Sequence, residues 1–296
     1  MEKEKTVDCV ILNYNDAVTT IELINLLESY SVLSHIIVVD NCSTDDSISQ
    51  ISAYTSGKVI LIEAENNGGY GSGNNMGVFY SYIEFSSKYV VIANPDVQFS
   101  ESCIKKLIDV MDDDPTCAIC APIQLDRNGF VIPDFAWKLP GKWSSIFSAG
   151  HFLHNFFWKN YGLEWIETQK SNDAISAIVD CLPGALLMVR SEVFVNVKGY
   201  DERNFLYWEE AILAKKVQRE GFVSRLLLDD IYIHKHSVSI DKSIPSVINR
   251  TKLLQQGRAF YLENYSGASR IQVSLGKMFF KLCILERTII FKVKHR

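Results

Sequence analysis

Residues 35–46 read His-Ile-Ile-Val-Val-Asp-Asn-Cys-Ser-Thr-Asp-Asp. A short apolar run ends on a carboxylate, Asp40, and breaks into turn-forming polar residues, the signature of a buried strand. Residues 7–13, 59–63 and 89–93 have the same form. Amphipathic patterns occupy residues 16–29, 44–54, 74–86 and 101–111. Strands separated by helices predict βαβ units, an α/β fold with a mainly parallel, doubly wound sheet. Ligands of such sheets bind at the carboxyl ends of the strands. Polar or glycine-rich residues follow several of these strands: Asn13-Tyr14-Asn15, Asp40-Asn41, residues 66–77, and Asn94-Pro95-Asp96. The fold would gather them in one crevice.

The chain of 296 residues is long enough for a full core, with 47% hydrophobic and 22% charged residues, which excludes disorder and suggests one domain with a terminal extension. The charged start, Met-Glu-Lys-Glu-Lys, runs into an apolar stretch too short for a signal peptide, so a cytoplasmic protein is expected. No uncharged run approaches the ~20 residues of a membrane span. Seven scattered cysteines suit buried free thiols, and Cys117 with Cys120 has no second pair for zinc. Nucleic acid is not expected as a partner.

Beyond Pro122, Asn128-Gly129 predicts a hairpin turn within residues 124–135. Residues 136–175 hold a dense aromatic cluster that reads as an insertion. A strand is expected over residues 178–190, then helices from Ser191 and from Glu209, the second ended by Gly221.

Each motif has two readings. Asp40 could bind a base or ribose, or complete a turn whose Ser43 and Thr44 cap the next helix; both stand. Residues 66–77 match neither the P-loop nor G-x-G-x-x-G, yet a glycine-rich turn opening a helix suits a phosphate, as does a merely flexible loop. Asp96 suits a divalent cation on a diphosphate, or a type I turn around Pro95. Glu209 and Glu210 open a helix, where acids are ordinary dipole partners. Tyr207 and Trp208 beside them would raise the pKa of whichever acid faces a cleft. His234 and His236 would share one face of a strand.

Together these segments resemble the family 2 glycosyltransferases, especially the rhamnosyltransferase-like branch of bacterial polysaccharide synthesis. The strings that carry the resemblance are Ile11-Leu12-Asn13-Tyr14-Asn15, Val38-Val39-Asp40-Asn41-Cys42-Ser43-Thr44-Asp45, residues 66–77 with Asn67, Gly68, Gly73 and Asn74, Ala93-Asn94-Pro95-Asp96, residues 183–190, and residues 199–210. The resemblance implies a GT-A fold over residues 1–240 and a donor that is a nucleotide-diphosphate sugar, UDP- or dTDP-linked. Asn13, Asn15, Asp40, Asn67, Gly68, Gly73, Asn74, Asn94 and Glu209 would line the donor. Asp96 and His234 would hold Mg²⁺ or Mn²⁺, and Glu210 would be the catalytic base. The acceptor would be a glycan or lipid-linked glycan. Two departures stand out: Ala211-Ile212 where a further acid is expected, and Lys235-His236-Ser237-Val238 in place of a glycine-rich ending. A chain that binds nucleotide-sugar or a partner without turnover is the alternative.

Residues 241–296 read as a helical extension. From position 268 onward it carries seven Lys or Arg (among them Lys292, Lys294 and Arg296) against one acid, Glu286, behind a body with 23 basic and 34 acidic residues. Ile271, Leu275, Met278, Phe279, Leu282, Leu285 and Ile289 form an apolar stripe at helical spacing. A basic amphipathic helix on the cytoplasmic membrane face is expected; docking on the catalytic domain or on a homodimer partner would use the same stripe.

Overall fold

The computed structural model describes residues 6–150, 153–172, 174–235 and 246–294. Its elements are β1 (Val7–Asn13), α1 (Ala17–Glu28), β2 (His35–Asp40), α2 (Ser47–Ser52), β3 (Val59–Glu63), α3 (Gly69–Tyr80), β4 (Tyr89–Ala93), β5 (Val97–Gln98), α4 (Glu101–Asp113) and β6 (Cys117–Leu125). There follow α5 (Lys142–Phe147), α6 (His154–Phe157), α7 (Leu163–Lys170), β7 (Ser176–Val179), β8 (Leu186–Arg190), α8 (Ser191–Asn196), α9 (Glu209–Arg219), β9 (Val223–His234), α10 (Val247–Asn264) and α11 (Arg270–Lys294). A π-helical turn, Ser81–Phe85, continues α3.

One sheet runs β3-β2-β1-β4-β8-β6-β9-β5, with β7 also paired to β9. Its first half is parallel throughout, as the sequence predicts. The second half is mixed: β8 runs antiparallel between β4 and β6, while β6 and β9 are parallel. Side chains of β1 alternate between two cores, as the strand period requires. Cys9 and Ile11 join Leu23 and Ile24 of α1 and Leu107 of α4, whereas Val10 joins Val78 of α3 on the opposite face. Cover on both faces explains why these strands are apolar without alternation.

Four expectations are corrected. The helix expected from residue 74 begins at Gly69, so the glycine run is mostly helix rather than loop. Its glycines let α3 lie against β1: a Cβ on Gly73 would stand 2.2 Å from Leu12 Cδ1, and one on Gly77 2.5 Å from Val10 Cγ1. The helix expected over residues 44–54 begins only at Ser47, because Ser43 and Thr44 bond across to Asn15. The Asn128-Gly129 turn forms, but its return arm makes a single bridge, Leu125 to Val131, and Pro133 has no N–H to extend a ladder. The strand expected over residues 178–190 is two strands, separated at Pro183-Gly184.

The C-terminal helices pack on the body. Tyr261 of α10 and Tyr265 just after it join Trp137, Trp208, Ala211 and Ile212 in one cluster, and Leu262, Val273 and Phe280 join Ile146 of α5 in another. A Cβ on Gly276 would stand 2.5 Å from Leu262 Cδ2, so a small residue permits the close crossing of α10 and α11. The apolar stripe of α11 divides. Phe279 packs edge-on against Phe147, while Ile271, Leu275, Met278, Leu282, Leu285 and Ile289 are all exposed. Docking uses mainly a second apolar face containing Val273, Phe280 and Cys283, to which the stripe adds only Phe279. Arg296 and His236 lie outside the described residues.

Candidate active site

Helix α9 opens with Glu209 and Glu210 directly after Tyr207 and Trp208, both at positive φ, 68° and 73°. Two successive non-glycine residues there are strained and are held by tertiary contacts. Asn204 Nδ2 donates to the Tyr207 carbonyl at 2.7 Å. A Cβ on Gly257 of α10 would stand 2.4 Å from that oxygen, so α10 presses directly on the turn.

The two carboxyls have different surroundings. Glu209 is buried, and its Oε2 has no hydrogen-bond partner. Burial first, and the charge of Glu210 second, push its pKa up to about 8 against backbone N–H groups of the turn that favour the charged form, so it is mostly protonated at neutral pH. Glu210 is half-buried and receives the Gly184 N–H on Oε1 at 3.3 Å. Burial raises its pKa too, opposed by backbone N–H groups that favour the charged form. Of the pair, Glu210 is the one arranged to carry charge and accept a proton. Gly184 is held on its other side by Tyr70, whose hydroxyl donates to its carbonyl at 2.6 Å. A Cβ at position 184 would stand 3.0 Å from Glu210 Oε1 and 3.2 Å from the Tyr70 hydroxyl.

Asp96 lies between β4 and β5. Pairing of Val97 with His234 in the β5–β9 ladder brings two distant residues together. His234 Nε2 stands 3.2 Å from Asp96 Oδ1. Its Nδ1 meets Gln124 Nε2 at 3.0 Å, and Gln124 Oε1 accepts from Tyr232. This chain of contacts orients the imidazole edge toward the carboxylate, the outer support that metal-ligating histidines need. Among the described residues no group of three or more His, Cys, Asp or Glu is placed to hold a metal. Asp96 and His234 are two donors of a suitable kind, and a diphosphate would supply the remainder. Asn94 uses its backbone N–H on the Ala185 carbonyl.

The other expected donor residues form a braced lattice at the carboxyl ends of β1 and β2. Asp40 is fully buried and accepts from Asn13 Nδ2 at 2.7 Å, from Ser43 N at 2.8 Å and from Ser43 Oγ at 2.7 Å. Asn15, at φ 53°, bonds with Ser43 and Thr44. Asn67 Oδ1 accepts from Gly69 N and Asn41 Nδ2. Gly68 precedes Gly69, whose φ is 85° and where a Cβ would stand 2.1 Å from the Phe205 carbonyl oxygen, so no side chain fits. The glycine loop is thereby fastened to the segment leading into α9. Gly73 and Asn74 lie within α3, Gly73 against Leu12 and Asn74 buried with Oδ1 unpartnered. Asn41, not among the sequence candidates, also has a buried Oδ1 without a partner.

This is an α/β sheet with acids at its carboxyl edge. The family described as Glycosyl transferase family 2 matches residues 8–157, and the chain belongs to it. It is 28% identical over 196 residues to an N-acetylglucosaminyl-diphospho-decaprenol L-rhamnosyltransferase of Mycobacterium tuberculosis, covering 64% of this chain and 62% of that protein. It is 26% identical over 213 residues to the low-salt glycan biosynthesis hexosyltransferase Agl10 of Haloferax volcanii, covering 72% and 61%. The chain thus spans about three fifths of each curated relative. Among solved structures, GalNAc-T7 with UDP, GalNAc and Mn²⁺ superposes with a TM-score of 0.63 at 14% identity, covering 96% of this chain and 55% of that one. The mannosyltransferase PcManGT of Pyrobaculum calidifontis, with GDP-Man and Mn²⁺, gives 0.58 at 14% identity, covering 97% and 76%. These likenesses establish the GT-A fold.

Proposed function

We propose that the chain transfers a hexose, rhamnose being one candidate, from a UDP- or dTDP-linked sugar to a hydroxyl of a glycan or lipid-linked glycan. The single observation that carries the reading is the unequal carboxyl pair. Glu210 is bonded to Gly184 N–H, while its buried neighbour Glu209 keeps its proton. The acceptor oxygen attacks the anomeric carbon and its proton passes to the Glu210 carboxylate. The bond from that carbon to the diphosphate oxygen breaks, its electrons leave with the nucleoside diphosphate, and the anomeric centre inverts. Asp96 and His234 are the residues that would hold Mg²⁺ or Mn²⁺, which when bound offsets diphosphate charge. The braced loops around Asp40 and Asn67 orient the nucleotide; Asp40 itself acts by holding Asn13 and Ser43.

Ala211 and Ile212, where a further acid is expected by resemblance, are buried core residues against Trp208 and Tyr261. Catalysis then rests on Glu210 alone. A coupled assay for nucleoside diphosphate release, run beside a nucleotide titration, tests this: binding without release would identify a non-catalytic binder. A thermal-shift panel of UDP-, dTDP- and GDP-sugars with Mn²⁺ assigns the donor.

Among the described residues no helix is long and apolar enough to cross a membrane. The exposed stripe of α11, with Lys277 and Lys281 exposed beside it, suits the cytoplasmic face of an anionic bilayer, where each basic residue near the surface adds about 1 kcal/mol. Co-sedimentation with anionic vesicles, comparing the full chain with one ending at Gly267, tests it. Tail-independent binding would sink the membrane reading, and a monomer–dimer equilibrium that needs the stripe would assign it to a second copy.

A further inference from the structure

A cavity of about 570 Å³ opens between α6, α10 and the later turns of α11. Arg250, Arg258, Arg287 and His154 line it together with Gln255 and Tyr207, and the described lining residues include no Asp or Glu. None of the residues assigned above to the donor or to the metal borders it.

Arg258 is the center of the argument, because it is only 4% exposed. Its Nη1 donates to the Ser145 carbonyl at 3.1 Å and to Ser148 Oγ at 2.7 Å, and its guanidinium lies 4.9 Å over the Trp208 ring. Its Nε has no partner, and neither does Oε1 of Gln255, itself 5% exposed. Burial draws the Arg258 pKa down to about 10, which still leaves it charged. A buried guanidinium held by neutral groups, with a donor left over, is costly unless an anion completes it. The planar fork matches phosphate oxygens in particular.

Two further features select the anion. Tyr207 lines the cavity three positions before Glu210, so its ligand lies next to the helix start that bears the base. Arg287 belongs to α11 and lies on the face of buried Val273, Phe280 and Cys283, nearly opposite the exposed Leu282, Leu285 and Ile289 around the helix. It therefore brings a second guanidinium to the inner side of α11, where the cavity lies.

We propose that this cavity binds the diphosphate of a diphosphate-linked acceptor, with Arg258 and Arg287 as its principal ligands, and so presents the acceptor sugar to Glu210. The assignment rests on the transferase reading for its purpose, though its test does not. Farnesyl diphosphate is titrated by calorimetry into the full chain in EDTA, with farnesol, inorganic pyrophosphate and UDP as parallel arms. Binding of farnesyl diphosphate and pyrophosphate is expected. Arg287→Gln and Arg258→Gln should each weaken it about tenfold or more, the scale of one lost hydrogen bond to a charged group, while Mn²⁺-dependent nucleotide binding stays unchanged. Should Arg258→Gln fail to fold, Arg287→Gln and Arg250→Gln carry the test. Unchanged affinity in those variants, farnesol binding as tightly as its diphosphate, or displacement by UDP at similar concentration would each overturn the assignment. Lost binding beside intact sugar transfer removes the cavity alone; intact binding without nucleoside diphosphate release removes the transferase reading alone.

Discussion

Asp40 and Glu209 are both buried carboxyls at the carboxyl edge of the sheet, and they are treated in opposite ways. Asp40 accepts three hydrogen bonds from Asn13 and Ser43. Glu209 has an unpartnered Oε2 and a charged neighbour in Glu210. A fully satisfied buried carboxylate fixes loops; one with an oxygen left unpartnered beside a second acid keeps its proton and leaves the charge to its neighbour. The first arrangement contributes shape and the second contributes reactivity.

That contrast can be broken or sharpened by substitution. Glu210→Gln should have the largest effect, lowering turnover ~10²–10⁴-fold with donor affinity nearly unchanged, as read by nucleoside diphosphate release. Equal turnover would move the base to Glu209 and erase the distinction. Asp96→Ala should abolish the Mn²⁺ dependence of nucleotide binding in a calorimetric titration, and an unchanged metal dependence would remove Asp96 from the site.

Asp40→Ala should act on stability, costing ~2–4 kcal/mol in denaturant unfolding because Asn13 and Ser43 lose their acceptor. A small loss there, with a large loss of nucleotide affinity, would make Asp40 a ligand contact. Glu209→Gln should act on stability with the opposite sign, and only as the pH rises. Its folded pKa is raised, so between the ordinary 4.5 and about 8 the unfolded chain is ionised while the fold keeps the proton, and stability falls as pH rises through that window. Gln has no such loss, so the variant's advantage should grow from little at pH 4.5 to a few kcal/mol by pH 8. A variant less stable than the wild type at pH 8 would contradict the neutral Glu209.

Legibility from sequence followed the distance between partners. Strands β1 to β4 lie where the apolar runs put them, since each run and its bounding turn are local. Residues 69–73 read as loop because glycine weakens helix propensity, and only contact with Leu12 and Tyr200 shows why small residues stand there. The strand break at Pro183-Gly184 follows from approach to Glu210 and Tyr70, the latter 114 residues away. In the candidate site, Glu210, Asp96 and His234 are proposed from their strings. Tyr70, Gly184, Asn41 and Arg258 were not among the candidates, because each gains its meaning from a neighbour remote in the chain. The outward stripe of α11 was visible as a pattern, but which of two apolar faces would dock was a question of packing against α5 and α10.

The contact between Gly257 and the Tyr207 carbonyl has a consequence for how such a chain can diversify. The helix that would meet the acceptor is also the one that props the strained turn before the base. A segment exchange that swaps residues 247–294 for those of a relative would alter acceptor choice only if residues 204–208 were exchanged with it. Swapped alone, the new helix would set the old turn at a wrong angle, and the hybrid would lose rate before it gained a new acceptor. Acceptor range and catalytic competence are in this sense inherited as one block, however far apart the two stretches lie in sequence.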